Sequence, residues 1–416
     1  MRKLVAGATV LVAALALMVP GAIGGPGQTP GVTAKTVTIG GTFPLTGPAA
    51  AYAPIPIGMK AYFSYINARR GEDGKRGVMG RQIIWKYYDD GYNPANTVLL
   101  TRRLVEQDNV FATVGQLGTE NNLAVRSYLN QAKVPQALVS TGASYWGTQY
   151  KEFPWTTGWQ PDYISEGRIY GLHIKQNFNG KKIGVLYQND DYGKDYLYGL
   201  RSALGKNYAD ANIVAQEAYE VTATSVASQM SKIKAAGATI FVILATPTST
   251  IRAYATGKAL GFNPEQIYLN SVSSTAAFLN IAVGLAGAAY VNGSLSTAYL
   301  KDPANPQWDN DSAMKLYRQI MAKYAPSANA SNGLYYYGVA KAEAFVQALY
   351  AAGKNPTRAS LMAALLSLNT TNKFTLPGVV EKTSKTDHWI ISQQQLIRYT
   401  HPDWKLQGKL IEGRPR

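Results

Sequence analysis

The feature that most constrains this chain is an alternation of strands and helices that ends near residue 139 and starts again near residue 182. The first run predicts strands at 36–43, 82–88, 110–114 and 135–139, with helices at 58–70, from 93 onward and at 121–133. The second run predicts strands at 182–187, 213–216, 239–244 and 266–269, with helices at 192–204, 225–236 and 249–260. Such alternation favours parallel sheets covered by helices on both faces. Two runs therefore predict two α/β lobes.

The remaining segments suggest how the lobes are joined. The segment 153–163 is rich in Trp, Pro and Gly and is predicted to be a crossing strand or hinge. After residue 270 the pattern predicts helices at 314–324, 336–352 and 358–368, then a strand at 388–399. A length of 416 residues fits two domains. We predict a first lobe of 36–159 plus 298–388, a second lobe of 160–297 plus 389–416, and three crossing segments.

The start of the chain predicts export. Arg2 and Lys3 precede a small, apolar stretch, which fits a signal peptide at 1–24 followed by a linker at 25–35. A retained membrane anchor is the alternative, but Pro20 and the Gly-rich linker favour cleavage. The chain has no Cys, so neither a disulfide nor a lipidated cysteine is expected. We predict a free, monomeric periplasmic protein.

The composition argues against several other classes of function. The net charge is +16, but the basic residues are scattered, so no nucleic acid partner is predicted. The three His residues do not have metal-ligand spacing, and no metal or cofactor is expected. No nucleophile motif occurs, so an enzyme such as an exported amidase is the weaker hypothesis. The acidic pairs Asp89-Asp90 and Asp190-Asp191 fit turns at strand ends.

Candidate ligand-binding residues follow from the rule that ligands bind at the carboxyl ends of parallel strands. Small and hydroxyl-bearing loops at helix N-termini present backbone N–H groups, which favour a carboxylate. Thr119 could instead be only a helix cap, and the 140–144 loop only a tight turn. The predicted ligand-binding residues are Tyr52, Leu117, Gly118, Thr119, Thr141, Gly142, Ala143, Ser144, Tyr192, Thr246, Ser271 and Ser273.

Several short motifs occur in an order and spacing that are specific in combination. They are Leu45-Thr46-Gly47-Pro48, Gly80-Arg81, Asp89-Asp90, Asn93-Pro94, Gly115 to Thr119, Val134-Pro135 and Asp190 to Gly193. In these motifs the chain resembles the branched-chain amino acid receptors among the type I periplasmic binding proteins of ABC importers. The resemblance implies two Rossmann-like lobes that close over one small molecule, and an inner-membrane permease as partner. It also implies that Thr119 and 141–144 hold a carboxylate, with Tyr52 and Tyr192 against the rest of the ligand.

Two positions depart from that family. Tyr92 and Gly118 stand about where the family often has cysteines, and the loop 270–273 lacks the acid that would hold an ammonium group. A buried ammonium without a counter-charge is costly. The prediction therefore stays open between a branched-chain amino acid and an apolar or aromatic acid, with an amide-type solute as a further alternative. An ammonium partner would have to be one of four acids: Glu120, Asp162, Asp190 or Asp191. A sensor module that feeds a receptor is the alternative to an importer subunit, because the fold serves both.

Overall fold

The structure is a computed structural model that describes residues 29–71 and 73–413. The predicted signal peptide, 1–24, and the first residues of the predicted linker lie outside the described residues. Within the described part of the chain, no helix combines the length and the apolar character needed to cross a membrane.

The described chain alternates strands and helices through most of its length. The strands are β1 Thr36–Phe43, β2 Gln82–Asp89, β3 Thr113–Val114, β4 Gln136–Val139, β5 Thr156–Gly158, β6 Ile183–Gln188, β7 Ile213–Tyr219, β8 Ile240–Leu244, β9 Gln266–Leu269, β10 Leu295–Ala298, β11 Asn369–Thr370, β12 Glu381–Lys382, β13 Gln393–Thr400 and β14 Asp403–Glu412. The helices are α1 Pro54–Ala68, α2 Pro94–Arg102, α3 Thr119–Gln131, α4 Tyr145–Thr148, α5 Tyr163–Asn177, α6 Asp191–Leu204, α7 Lys206–Asn212, α8 Ala227–Ala235, α9 Pro247–Ala259, α10 Ala276–Ala286, α11 Ala288–Val291, α12 Ser312–Tyr324, α13 Gly333–Ala351 and α14 Arg358–Leu365.

Two separate sheets form the centres of the two lobes. The first lobe is built on a five-stranded parallel sheet in the order β2-β1-β3-β4-β5. The second lobe is built on a seven-stranded sheet in the order β14-β13-β10-β9-β8-β6-β7. Its strands β6 to β10 are parallel, whereas β13 and β14 pair antiparallel at one edge. The predicted two-lobe α/β fold is therefore confirmed, and the antiparallel edge is an addition to it.

The chain passes between the two sheets three times. It crosses after β5, after β10 and again between β12 and β13. The first and third crossings lie side by side, since Gly158 pairs with Trp389 and the N–H of Ile391 donates to the Trp159 carbonyl at 3.0 Å. The exact lobe boundaries given above stay a prediction.

Helix α13 returns to the first lobe and crosses α1 at two glycines. A Cβ on Gly58 would collide with the backbone of Tyr335, and one on Gly338 with the backbone of Ile55. This close approach brings α13 against the end of β4, as the contact between the two elements shows. The middle of α13 is thereby placed beside the loops that follow the first sheet.

Candidate ligand-binding site

A cavity of about 140 Å³ lies where the two lobes face each other. Its walls come from both sheets: Thr119 and Thr141 follow strands of the first, and Tyr192 and Thr246 follow strands of the second. One buried water needs roughly 10–15 Å³. The cavity is therefore large enough for a small organic molecule.

The first-lobe wall is built around the start of helix α3. Gly118 precedes the helix with φ of 103°, a conformation that favours glycine, and no side chain caps the first turn. Thr119 is the first helical residue, and its hydroxyl lies 2.6 Å from that of Thr141. Both residues line the cavity. An uncapped helix N-terminus beside hydroxyl groups is chemically suited to a carboxylate.

The second-lobe wall rests on a buried carboxylate. Ser271 lines the cavity, and both its N–H and its hydroxyl donate to Glu166 at 2.6 Å. Glu166 also accepts from Tyr170 at 2.5 Å and Tyr196 at 2.8 Å. Burial raises the pKa of Glu166, while these donors act to lower it. The Glu166 carboxylate thus supports the second-lobe wall through these hydrogen bonds.

The other polar groups of the second-lobe wall are neutral. The Tyr192 hydroxyl accepts a hydrogen bond from Asn270, and Thr246 donates its N–H to the Tyr219 hydroxyl at 3.0 Å. The hydroxyl of Thr275, which lines the cavity, has no hydrogen-bond partner among the described residues. It is free to bond to a ligand.

Tyrosines supply much of the cavity's aromatic surface. Those that line it are Tyr52, Tyr92, Tyr163, Tyr192, Tyr299 and Tyr337. Desolvation by burial raises the pKa of each, so these side chains are neutral hydroxyl groups at physiological pH. Tyr52 also bridges the two lobes by donating to the Val272 carbonyl at 3.3 Å.

The cavity continues from these loops toward β13 and β14. This end is mainly apolar and contains Leu300, Leu334, Trp308, Leu376, Ile397, Trp404 and Leu406. Its charged residues are Lys301, paired with Asp311 at 2.8 Å, and Asp302. Asp302 accepts from the N–H groups of Ala304 at 2.9 Å and Ala276 at 3.3 Å, and burial raises its pKa to about 6.

Direct contacts join the two lobes beside the cavity. Asp195 accepts from the N–H of Ser144 at 2.6 Å and from its hydroxyl at 3.2 Å. Tyr145 donates to Asp191 at 3.0 Å, and the Asp191 N–H donates to Glu120 at 3.3 Å. The lobes are therefore in contact, as in a closed conformation.

The structure brings eight of the twelve predicted site residues to the cavity. They are Tyr52, Leu117, Gly118, Thr119, Thr141, Tyr192, Thr246 and Ser271. The other four do not line it. Gly142 packs on Pro161, and Ala143 is buried in a cluster with Trp146.

Ser144 and Ser273, the other two, have different partners. Ser144 bonds to Asp195, as described above, and the Ser273 hydroxyl donates to the Ala245 carbonyl at 2.5 Å. Ser144 therefore joins the two lobes, and Ser273 bonds to the backbone. The ligand contact predicted for each of the twelve residues stays a prediction.

The four acids considered as ammonium partners are not among the residues that line the cavity. Two of them cap helices: Asp162 accepts from the N–H of Ser165 at 2.9 Å, and Asp190 from that of Gly193 at 3.1 Å. Glu120 and Asp191 make the lobe contacts given above. The acid that does line the cavity is Asp302, which sequence reasoning missed because it follows β10, a strand that the pattern did not predict.

Other lining residues were also missed. Thr275 lies just beyond the predicted 270–274 loop, and Gln160 and Tyr163 lie in the predicted crossing segment. Tyr337 sits inside a predicted helix, where nothing distinguishes it from a core residue. The only signal in the sequence was the abundance of tyrosine, of which the chain has 28 copies. As for metals, the described residues contain no cluster of His, Cys, Asp and Glu that could hold an ion.

Comparison with known proteins gives a consistent picture. A model of the periplasmic binding protein family matches residues 36–400. A Leu/Ile/Val-binding protein homolog from Brucella melitensis is 24% identical over 172 residues, which are 41% of this chain and 44% of that relative. The match thus spans less than half of the relative's length.

Two solved structures share the fold. One is a branched chain amino acid ABC transporter protein from Thermus thermophilus with bound valine, with a TM-score of 0.78 and 16% identity, covering 91% of this chain and 96% of that one. The other is a fatty acid ABC transporter substrate-binding protein from Thermomonospora curvata, with a TM-score of 0.77 and 20% identity, covering 92% and 94%. At these identities the likeness concerns the fold.

Proposed function

This chain belongs to the periplasmic binding protein family, and from that premise we propose that it captures a small carboxylate-bearing solute for an ABC uptake transporter. Proteins of this family bind substrates, so the chain is a binding protein and not an enzyme. In the proposed setting it is a periplasmic monomer released by signal cleavage. It delivers its ligand to inner-membrane permease subunits.

The observation that carries the ligand class is the asymmetry of the cavity. A carboxylate would bind at the start of α3, beside Thr119 and Thr141. Its apolar or aromatic body would extend past the tyrosines toward Leu300, Ile397 and Leu406. The fold shared with a fatty acid ABC transporter substrate-binding protein agrees with an acid that has an apolar body.

A branched-chain amino acid is the second candidate, and Asp302 is the observation that favours it. This acid lines the cavity and could pair with the ligand's ammonium group. Because an α-amino acid carries that group one carbon from its carboxylate, this candidate places both groups near Asp302. Burial raises its pKa to about 6, so the carboxyl is largely ionised at pH 7, and a bound ammonium would stabilise that ionised form further. The similarity to a fold with bound valine agrees with this candidate.

We propose that the lobes close over the ligand by hinge motion at the three crossings. The contacts of Ser144 with Asp195 and of Tyr145 with Asp191 support a closed state that depends on both lobes. Closure would trap the ligand and form the surface that the permease binds. X-ray scattering should give a smaller radius of gyration with ligand than without.

Calorimetry with a matched panel tests the ligand class. The panel is octanoate, benzoate, leucine, octanamide and glucose, together with mass spectrometry of whatever co-purifies. We expect octanoate to bind at least about tenfold more tightly than octanamide, since a charge-assisted hydrogen bond contributes roughly 1.5–3 kcal/mol. Tighter binding of leucine than octanoate would select the second candidate. Tight glucose binding without response to any acid would overturn both.

A further inference from the structure

Lys341 on α13 is a fully buried lysine that touches the cavity through two hydroxyl groups. None of its surface is exposed. Its Nζ donates to the Ser140 hydroxyl and, at 2.8 Å, to that of Tyr337. Both of these residues line the cavity. The Nζ also lies 5.0 Å from the ring centre of Trp159. The amine is thus one side chain away from the space for a ligand.

No carboxylate balances this amine among the described residues. Burial is the cause that lowers its pKa well below the ordinary value, and no acid opposes it. The buried Lys301 differs, because it pairs with Asp311 at 2.8 Å. Burying an unpaired lysine costs stability. Such a cost is typical of residues kept for function.

The hydrogen bonds of Lys341 fit a neutral amine. A neutral amine has two N–H groups, and Ser140 and Tyr337 accept both. Each hydroxyl in turn donates a hydrogen bond at 2.7 Å: Ser140 donates to the Gly115 carbonyl, and Tyr337 donates to the Gln160 side-chain oxygen. An ammonium has three N–H groups. Its third would have no acceptor among these contacts.

We propose that Lys341 supplies the counter-charge for the ligand's carboxylate: the amine is neutral in the ligand-free protein and takes up one proton from the solvent when an acid binds. This inference rests on the proposed function. The ammonium acts through Ser140 and Tyr337, whose hydroxyls become stronger donors when they accept from a cation and can turn toward the carboxylate. Lys341 is thus a positioning residue that selects anions over neutral analogues.

Other titratable groups are linked to Lys341 through its neighbours. Tyr337 lies on the same helix, and Tyr163 follows through Gln160, whose amide donates to it at 3.3 Å. Glu381 lies behind Trp159, which donates to it at 3.0 Å, and burial raises the pKa of Glu381 to about 7. Because Glu381 could also take up a proton, the test must remove the lysine itself.

The test is calorimetry of octanoate binding to the full mature protein in phosphate and in Tris at pH 7, which gives the number of protons taken up. We expect about one proton for the unchanged protein and none for Lys341→Met. The variant should bind octanoate at least about tenfold more weakly, with a smaller loss for octanamide. Lys315→Met, an exposed lysine on α12, is the matched control and should change neither value.

A second arm needs no ligand. A lysine whose folded pKa is lowered destabilises the fold increasingly as pH falls below its unfolded value near 10.4. Lys341→Met should therefore raise Tm at pH 7 by roughly 2–4 °C or more, and by less at pH 10. A Tm lowered equally at both pH values would assign Lys341 a structural role and overturn the inference.

The outcomes separate this inference from the function on which it rests. Octanoate binding with the same proton uptake in Lys341→Met overturns the role of Lys341 and leaves the proposed function standing. Binding of octanamide or glucose without binding of octanoate, benzoate or leucine overturns both.

Discussion

The two walls of the cavity present similar groups but are supported by opposite chemistry. On the first-lobe wall, Thr119 lies at a helix N-terminus and Ser140 accepts from the amine of Lys341. On the second-lobe wall, Ser271 donates to the carboxylate of Glu166. All three are hydroxyl side chains of the kind that a sequence cannot tell apart.

The comparison shows that the other hydrogen-bond partner of a hydroxyl decides whether the hydroxyl donates to a ligand or accepts from it. In the ligand-free protein the Ser140 hydroxyl accepts from Lys341 and donates to the Gly115 carbonyl at 2.7 Å, an uncharged acceptor that it can leave for a carboxylate once the amine is protonated. The Ser271 hydroxyl donates instead to the charged Glu166 carboxylate, so it offers a ligand a lone pair. The first lobe therefore releases a donor more readily than the Ser271 loop does, and an acid should orient its carboxylate toward the first lobe.

Removing Glu166 should break the second-lobe wall and give the largest effect. Glu166→Leu removes the acceptor of the Ser271 and Tyr196 donors in a buried site and leaves Tyr170 with only the Leu269 carbonyl as acceptor. We expect a loss of about 3–5 kcal/mol in the free energy of unfolding. Urea denaturation measures it.

The control for this substitution is Glu265→Leu, which removes an exposed carboxylate that pairs with Lys181. It should cost about 1 kcal/mol or less. A loss below 1 kcal/mol for Glu166→Leu would show that the carboxylate does not support the wall.

The role of Glu166 could not be predicted from the sequence. Its helix, α5, was not predicted because Ser165, Glu166, Gly167 and Gly171 interrupt the apolar residues of the buried face, which are Tyr163, Ile169, Tyr170 and Ile174. Hydrophobic periodicity was therefore too weak to predict the helix. Only the tertiary structure shows that this polar face packs against Tyr196 and the loop after β9.

The loops of the cavity were predictable for a different reason. The sequence shows where β1, β3 and β4 end, β1 by its alternating pattern and β3 and β4 as short segments, and ligands bind where parallel strands end. Residues such as Thr119 and Thr141 follow directly from that rule. The apolar end was not predictable, because Leu406 lies on the antiparallel strand β14, whose exposed charges obscure its pattern. Lys341 was hidden inside a correctly predicted helix, since only the tertiary fold shows that it lacks an acid.

Removing one hydroxyl from each wall should sharpen the comparison. Thr119→Ala removes a buried partner of Thr141 and one group of the proposed carboxylate site. We expect octanoate binding to weaken by about 1–3 kcal/mol.

The matched substitution on the opposite wall is Ser274→Ala, whose hydroxyl donates to the Ser271 carbonyl at 2.8 Å. It should change octanoate binding by less than about 0.5 kcal/mol. Calorimetry of both variants decides the matter: equal losses would mean that the walls do not differ toward an acid.

The smallest effect should come from the contact that joins the walls at their rim. Asp195 of the second lobe accepts from the N–H and the hydroxyl of Ser144 in the first. Burial raises the pKa of Asp195 to about 6. In an open conformation the carboxyl would be solvated, with a pKa near its ordinary value.

The sign of the pH effect on closure follows from this difference. Because the closed state binds the proton of Asp195 more tightly, protonation favours closure, and that advantage is lost as pH rises through about 6. Since Asp195 is only partly buried, we expect the free energy of closure to change by about 1 kcal/mol between pH 5 and pH 7.5.

X-ray scattering of the ligand-free protein tests this pH effect and should give a smaller mean radius of gyration at pH 5 than at pH 7.5. Asp195→Asn should reduce the difference by at least half, whereas Asp191→Asn, which removes the charge of the residue that accepts from Tyr145, should retain it. An Asp195→Asn protein with the full pH difference would place the titrating group elsewhere, for example at Asp190, whose pKa burial also raises to about 6.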